Sequence, residues 1–307
     1  MDINTPGAGS AINSIVTKEF QKGIDEATVI SGPMTETVTS TAAYNIYSWM
    51  SHIAGFKEWF EGQPRVMRNF KSNQYTVKNR RFDLSLKISV DAVDDDQLDQ
   101  YKPEAKNIGY QGTILDDELS FDLLNGGFDA TTTYDDLYWF SASHKAGLST
   151  INNLASGALT TTTLQTAMTT MRNWTVQPDK ESTARPLNPS PKWLLVVPPA
   201  LEWTAEGILK TKLITTGTAF GDNIMHERAE LMVASRLTSS TTAWFLLNIG
   251  EGIKPIFIQN RSPVQLIQKT PLNDNEAFMY DELVWAGKRR LAALPTLPWL
   301  ACGSTGL

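Results

Sequence analysis

Between Phe82 and Val90 the chain alternates with a strict period of two. Phe82, Leu84, Leu86, Ile88 and Val90 fall on one side, and Asp83, Ser85, Lys87, Ser89 and Asp91 on the other. Successive side chains of a strand point to opposite faces, so this pattern demands a strand with one buried face and one wet face. Tyr75-Thr76-Val77 just upstream suits a partner strand, with Lys78-Asn79-Arg80 near the turn. The two together read as a long hairpin.

The following stretch has a different texture. From Asp91 to Asp136 there are thirteen acidic residues and two basic ones, Lys102 and Lys106, a local charge of −11. Pro103 suits the first turn of a helix, Leu115, Leu119 and Leu123 recur every four residues, and Gly126-Gly127 supplies a stop. A helix over about 100–125 is expected, with Gly109 and Gly112 weakening it enough for a kink or two shorter pieces.

Elsewhere, Tyr44, Tyr47, Trp49, Phe56, Trp59 and Phe60 read as a packed helix followed by a turn. Leu164, Met168 and Met171 mark a short amphipathic helix, Trp193–Val197 a buried strand and Leu201–Leu209 a helix. Leu231–Ala234, Trp244–Ile249 and Ile253–Ile258 look like sheet strands. This order suits an α+β fold better than alternating parallel units. The first 40 residues, rich in Ser, Thr, Gly, Ala and Asn with isolated Ile15, Val16 and Phe20, read as an arm that is mobile or laid on something else.

With 41% hydrophobic residues in 307, wholesale disorder is excluded, and the net charge of −6 disfavours a surface dedicated to nucleic acid. The single cysteine, Cys302, rules out an internal disulfide and a four-cysteine zinc site. No basic-then-apolar leader opens the chain, and the best apolar run, Trp193–Val197, stops at Pro198-Pro199. The expectation is a soluble protein made in a reducing compartment, with no membrane partner.

Signatures of catalysis are scarce. His52, His144 and His226 show no metal-ligand spacing, and His226-Glu227 lacks the second histidine of a helical zinc protease. No Gly-x-Ser-x-Gly elbow occurs, and Gly7-Ala8-Gly9 is an isolated fragment of a dinucleotide fingerprint. The run Asp94-Asp95-Asp96 with Asp99 admits three readings: a solvated helix start, intersubunit ion pairing, or a site for a hard cation. The last would make the chain a metal-dependent hydrolase using Asp94, Asp95, Asp96 and His144.

Charge segregation carries more information. Between Gly62 and Phe82 lie Arg65, Arg68, Lys71, Lys78, Arg80 and Arg81 and no acidic residue, immediately before the acidic stretch. One reading is a solvated hairpin that is basic by chance. The other is a projecting basic hairpin that lies on the acidic face of another copy.

Several blocks resemble the major head subunit of Mu-like tailed bacteriophages, a branch of the Hong Kong 97 type of capsid fold. They are Tyr47-Ser48-Trp49 through Lys57-Glu58-Trp59 to Pro64-Arg65; Tyr75-Thr76-Val77-Lys78-Asn79-Arg80-Arg81-Phe82 through Asp94-Asp95-Asp96 to Tyr101; and Leu123-Leu124-Asn125-Gly126-Gly127 through Tyr134-Asp135 to Phe140-Ser141-Ala142-Ser143-His144. Leu195-Val196-Val197-Pro198-Pro199-Ala200-Leu201 and Trp285-Ala286-Gly287-Lys288-Arg289-Arg290 follow in the same order. Asp136 and the pair Ala286-Gly287 depart from the family pattern.

The resemblance implies an N-terminal arm over 1–40 and a peripheral domain from 41–59, 92–149 and 244–307. It also implies an extended loop over 60–91 and an axial domain over 150–243, with the helix at about 100–125 as the spine. Neighbours would meet through Arg65, Arg68, Lys71, Lys78, Arg80 and Arg81 on the loop and Asp94, Asp95, Asp96, Asp116, Asp117 and Glu118 on the acidic spine region. The implied function is structural, with no catalytic residue, cofactor or metal. Pentamers and hexamers would close into an icosahedral head around double-stranded DNA held non-specifically. Implied partners are a portal, a scaffolding protein, a maturation protease and a decoration protein, with assembly in the host cytoplasm and residence in the virion. A tail-tube or decoration protein is the competing structural reading.

Overall fold

The alternating segment Arg80–Ser89 is a strand at the edge of a four-stranded sheet. The computed structural model describes residues 8–50, 72–95, 98–177, 180, 183–216, 219–269 and 279–307. Its helices are α1 (Ala8–Glu26), α2 (Val90–Asp94), α3 (Lys102–Asn125), α4 (Thr161–Asn173) and α5 (Glu202–Leu209). Its early strands are β1 (Thr35–Thr39), β2 (Tyr44–Met50), β3 (Ser72–Lys78) and β4 (Arg80–Ser89). Short strands follow: β5 (His144–Ala146), β6 (Ser149–Ile151), β7 (Leu154–Ala155), β8 (Thr175–Val176) and β9 (Arg185–Pro186). The rest are β10 (Trp193–Val197), β11 (Leu213–Thr216), β12 (Ala219–Asp222), β13 (Glu230–Val233), β14 (Trp244–Asn248), β15 (Ile256–Lys269), β16 (Glu282–Pro295) and β17 (Ala301–Ser304).

The first sheet has the order β1-β15-β16-β4, with β1 parallel to β15 and the other neighbours antiparallel. Leu283, Trp285, Gly287, Arg289 and Leu291 of β16 are buried in alternation, and β4 sets Ile88, Leu86, Leu84 and Phe82 beside the first four of them. α3 covers this face. Pro103 sits in its first turn, where a missing N–H costs nothing, and Gly126 closes it with its N–H donated to the Asp122 carbonyl.

The N-terminal segment is laid on this layer as a helix, which its small polar composition concealed. Ile12, Val16 and Phe20, four residues apart, are all buried against Ala105, Ile108, Leu86, Ile88 and Trp285. The two glycines expected to weaken α3 instead let neighbours approach it. A Cβ on Gly109 would run into the Phe20 carbonyl and one on Gly23 into the Lys106 carbonyl, while one on Gly112 would meet Val264. α3 is accordingly one continuous helix of 24 residues.

The second sheet has the order β13-β10-β14-β17-β7. Every residue of β10 and β14 is buried, because both faces of this sheet are covered. Trp193, Leu195, Val197, Trp244 and Leu246 face a core containing Leu164 and Met171 of α4 and Ala205 and Ile208 of α5. Leu194, Val196, Phe245 and Leu247 face the other way, onto Leu119, Phe121 and Leu124 of α3 and Ile256, Ile258 and Leu291 of the first sheet. The last third of the chain therefore splits between the sheets: β14 and β17 join β10, and β15 and β16 form the first sheet. β14, which lies beyond the boundary expected at 243/244, pairs directly with β10.

β2 and β3 form a separate antiparallel ribbon, Tyr44 opposite Lys78 and Met50 opposite Ser72. Two expectations are corrected here. The segment from Tyr44 is a strand rather than a helix, and β3 pairs with β2 while β4 pairs with β16 at the edge of the first sheet. Phe56, Trp59 and Phe60 lie outside the described residues.

Candidate intersubunit surfaces

The ribbon meets the first sheet at a buried polar joint. Asn79, between β3 and β4, is 6% exposed, and its Nδ2 donates to Ser40 Oγ at 2.9 Å and to the Ala42 carbonyl at 2.8 Å. Its Oδ1 accepts from Gln259 Nε2 at 2.8 Å, and Gln259 Oε1 accepts from the Tyr47 hydroxyl at 2.8 Å. Around this joint Val77, Tyr47 and Tyr75 pack on Phe257, Ala292 and Leu294. These strand residues point away from α3, so the ribbon root covers the other face of the first sheet. Residues alternating with them, Tyr44 and Ile46, are 54% and 51% exposed.

The basic residues of this region emerge from the joint. Lys78, Arg80 and Arg81 are exposed, and the Arg80 guanidinium lies 5.1 Å from the Phe82 ring centroid. Arg65, Arg68 and Lys71 lie outside the described residues.

The acidic residues divide into two sets. Asp91 and Asp95 are exposed, at the far end of β4. Asp94 closes the short helix α2, which corrects the reading of the run as a helix start; its side chain and all of Asp96 lie outside the described set. The second set works inside the chain. Arg289 Nη2 donates to Asp116 Oδ2 at 3.0 Å and lies 2.8 Å from Oδ1, so α3 is clamped to β16. Burial pushes the Asp116 carboxyl above its ordinary range, against the pull of Arg289. Asp117 accepts from the Ile30 and Ser31 backbone N–H groups at 3.0 and 2.8 Å. Glu118 Oε1 accepts from Arg236 Nη1 at 3.0 Å. At 3% exposure Asp117 cannot be presented to a neighbour, a correction to its expected place on an intersubunit surface. Its spacing in α3 gave no sign of this, because its partners are backbone groups nearly ninety residues away.

Among the described residues the hydrolase constellation does not assemble. His144 is fully buried, with Nδ1 2.8 Å from Asp135 Oδ2 and Nε2 3.1 Å from the Trp139 carbonyl oxygen. Burial alone would raise the Asp135 carboxyl, but hydrogen bonds from His144, Thr133 and the Leu137 N–H outweigh it and hold the group below its ordinary value. Both ring nitrogens of His144 are thus occupied in the loop ahead of β5, leaving none for Asp94 or Asp95. His226 Nδ1 stands 3.8 Å from Glu227 Oε2, and His52 lies outside the described residues. Among the described residues no group of three or more His, Cys, Asp or Glu is arranged to hold a metal.

Two interlocked layers with a side ribbon make a known kind of fold. The chain is similar to a subunit of the procapsid of bacteriophage JBD30, with a TM-score of 0.59 and 20% identity over 98% of this chain and 76% of that one. It is similar to a subunit of the bacteriophage PhiM1 mature capsid, with a TM-score of 0.59 and 11% identity over 91% and 87%. The fold is that of a phage capsid subunit. The family described as "Mu-like prophage major head subunit gpT" matches residues 10–156, 147–237 and 234–306.

The chain belongs to that family. It is 22% identical to the major capsid protein of Escherichia phage Mu over 291 residues, 95% of this chain and 71% of that protein. It is 29% identical to the Mu-like prophage FluMu major head subunit of Haemophilus influenzae over 143 residues, 47% of this chain and 46% of that one. It is a structural head subunit and not an enzyme.

Proposed function

We propose that copies of this chain associate as pentamers and hexamers and close into an icosahedral head around packaged double-stranded DNA. The observation that carries this reading is the β2–β3 ribbon, tethered through Asn79 and Gln259 and turning Tyr44 and Ile46 to solvent. Exposed apolar side chains on a two-stranded ribbon suit burial against a second protein surface. In this reading the ribbon is the root of the extended loop, carrying Arg65, Arg68, Lys71, Lys78, Arg80 and Arg81 toward a neighbour. The first sheet with α3 serves as the peripheral domain, and the second sheet with α4 and α5 as the axial domain.

Many weak contacts per subunit would become strong collectively, as multivalency requires. The net charge of −6 suits a wall that encloses DNA without gripping it. A portal, a scaffolding protein, a maturation protease and a decoration protein complete the proposed partners, with assembly in the host cytoplasm. Negative-stain electron microscopy of the full-length chain tests the reading: closed shells or capsomer rings are expected, and a monodisperse monomer under all assembly conditions overturns it.

A further inference from the structure

Strands β4 and β16 form one antiparallel ladder whose two ends carry opposite charge. At one end Arg81 lies directly opposite Arg290, with Arg80 opposite Leu291 and Lys288 opposite Asp83. Arg81, Arg290 and Lys288 share the face turned away from α3, because Arg289 and Phe82 occupy the buried one. Like charges directly opposite on a sheet destabilise it, and Asp83 offsets only part of this. Neither Arg81 nor Arg290 has an ion-pair partner among the described residues, and Arg290 Nε is buried without a hydrogen-bond acceptor there.

The other end of the ladder is acidic. Asp91 and Asp95 follow β4, and Asp281, whose carbonyl accepts the Val90 N–H at 3.0 Å, precedes β16. All three are exposed, whereas Glu282 is already paired with Lys87 at 2.6 Å. Nine or so residues of strand separate the two ends by about 30 Å. That is several times the screening length of about 8 Å at physiological salt, so the ends cannot neutralise each other within one subunit.

We propose that the Arg81–Arg290 pair, with Lys288 beside it, receives Asp91, Asp95 and Asp281 from a second copy of this chain. Each end repels its own kind, so the basic end of one copy meets the acidic end of another. A head-to-tail contact of this type closes into rings when its rotation permits, and an antiparallel two-fold contact satisfies both ends at once. The inference rests on the shell-forming reading above and adds to it the residues of one contact. It also places part of that contact outside the extended loop, on β16.

Charge reversal tests it. Full-length Arg81→Glu/Arg290→Glu and, separately, Asp91→Lys/Asp95→Lys/Asp281→Lys are each expected to lower the yield of rings or shells at least tenfold while remaining folded by circular dichroism. A chain carrying all five substitutions has complementary ends again and is expected to recover most of the yield. Normal assembly by either reversed set overturns the proposal, and so does failure of the folded five-fold variant to recover. Normal shells from the arginine reversal that retain less nucleic acid would also overturn it, assigning the arginines to phosphate instead. A wild-type chain that forms neither rings nor shells would instead contradict the shell-forming reading itself.

Discussion

Gln259 in the middle of the first sheet donates through Nε2 to Asn79 Oδ1 at 2.8 Å, and this buried bond joins the ribbon to the sheet. Asn79 satisfies the chain on both sides, since its own N–H donates to the Ala43 carbonyl at 3.0 Å. An angle between ribbon and sheet is thereby set by side-chain amides rather than by a continuous strand.

Replacing Asn79 by Ala leaves Gln259 Nε2 and Ser40 Oγ short of partners in a buried place. A loss of about 2 kcal/mol is expected, the usual scale for an unsatisfied buried group. Hydrogen exchange should accelerate at amides of 44–50 and 72–78 more than at those of β10 and β14. Uniform acceleration over the whole chain would mean that the joint is not local.

Gly109 and Gly207 make a paired test of the α1–α3 crossing. Gly109→Ala drives a Cβ into the Phe20 carbonyl and is expected to cost about 1–3 kcal/mol, the range for overpacking. Gly207 in α5 has open space around it, so Gly207→Ala should be neutral or stabilise by up to about 1 kcal/mol through helix propensity. Thermal unfolding should shift downward for Gly109→Ala and stay level or rise for Gly207→Ala.

Cys302 lies on β17 with its thiol buried, and burial pushes its pKa up to about 12. The reactive thiolate is then scarce at neutral pH. As the chain's single cysteine, it should react with Ellman's reagent only after denaturation. Rapid labelling of native protein would show that the second sheet opens at β17.

The Asp135 carboxylate has its pKa lowered in the folded chain. A depressed carboxyl contributes stability that is present above its unfolded pKa and is lost as pH falls through the folded value. Asp135→Asn should therefore cost about 1–3 kcal/mol at pH 7, with the deficit shrinking below about pH 4. Urea midpoints at several pH values would check this; a deficit independent of pH would deny the carboxylate its role.

One edge of the first sheet and the helix that covers it could be read from residues alone. The alternation over 82–90 is β4, and Pro103 and Gly126 bracket α3. Three elements escaped for separate reasons. Tyr44 and Tyr47 fit a helical spacing, yet β2 is held as a strand by pairing with β3, and the Asn79 turn leads β3 away from β4 rather than into a hairpin with it. β16 hides its alternation because its buried row includes Gly287 and Arg289, one making room for Ile108 and the other neutralised by Asp116. The fully buried row of α1 is only Ile12, Val16 and Phe20, with Ile15 and Ile24 half-buried beside it, a narrow stripe that does not stand out among small polar residues.

The charge pattern was visible as two opposed blocks, but its use was not. Composition along the chain cannot distinguish Asp117, consumed by backbone N–H groups, from Asp91 and Asp95, which face solvent. That distinction depends on where the chain returns in space, and only the packing of the 27–35 segment on α3 reveals it.

Cryo-electron microscopy of particles assembled from the full-length chain tests the central claim most directly. The expected result is a closed shell of pentamers and hexamers in which the Tyr44 and Ile46 face of each ribbon is buried on an adjacent subunit. Closed shells with that face still exposed would contradict the ribbon's role, and a chain that stays monomeric would contradict the account as a whole.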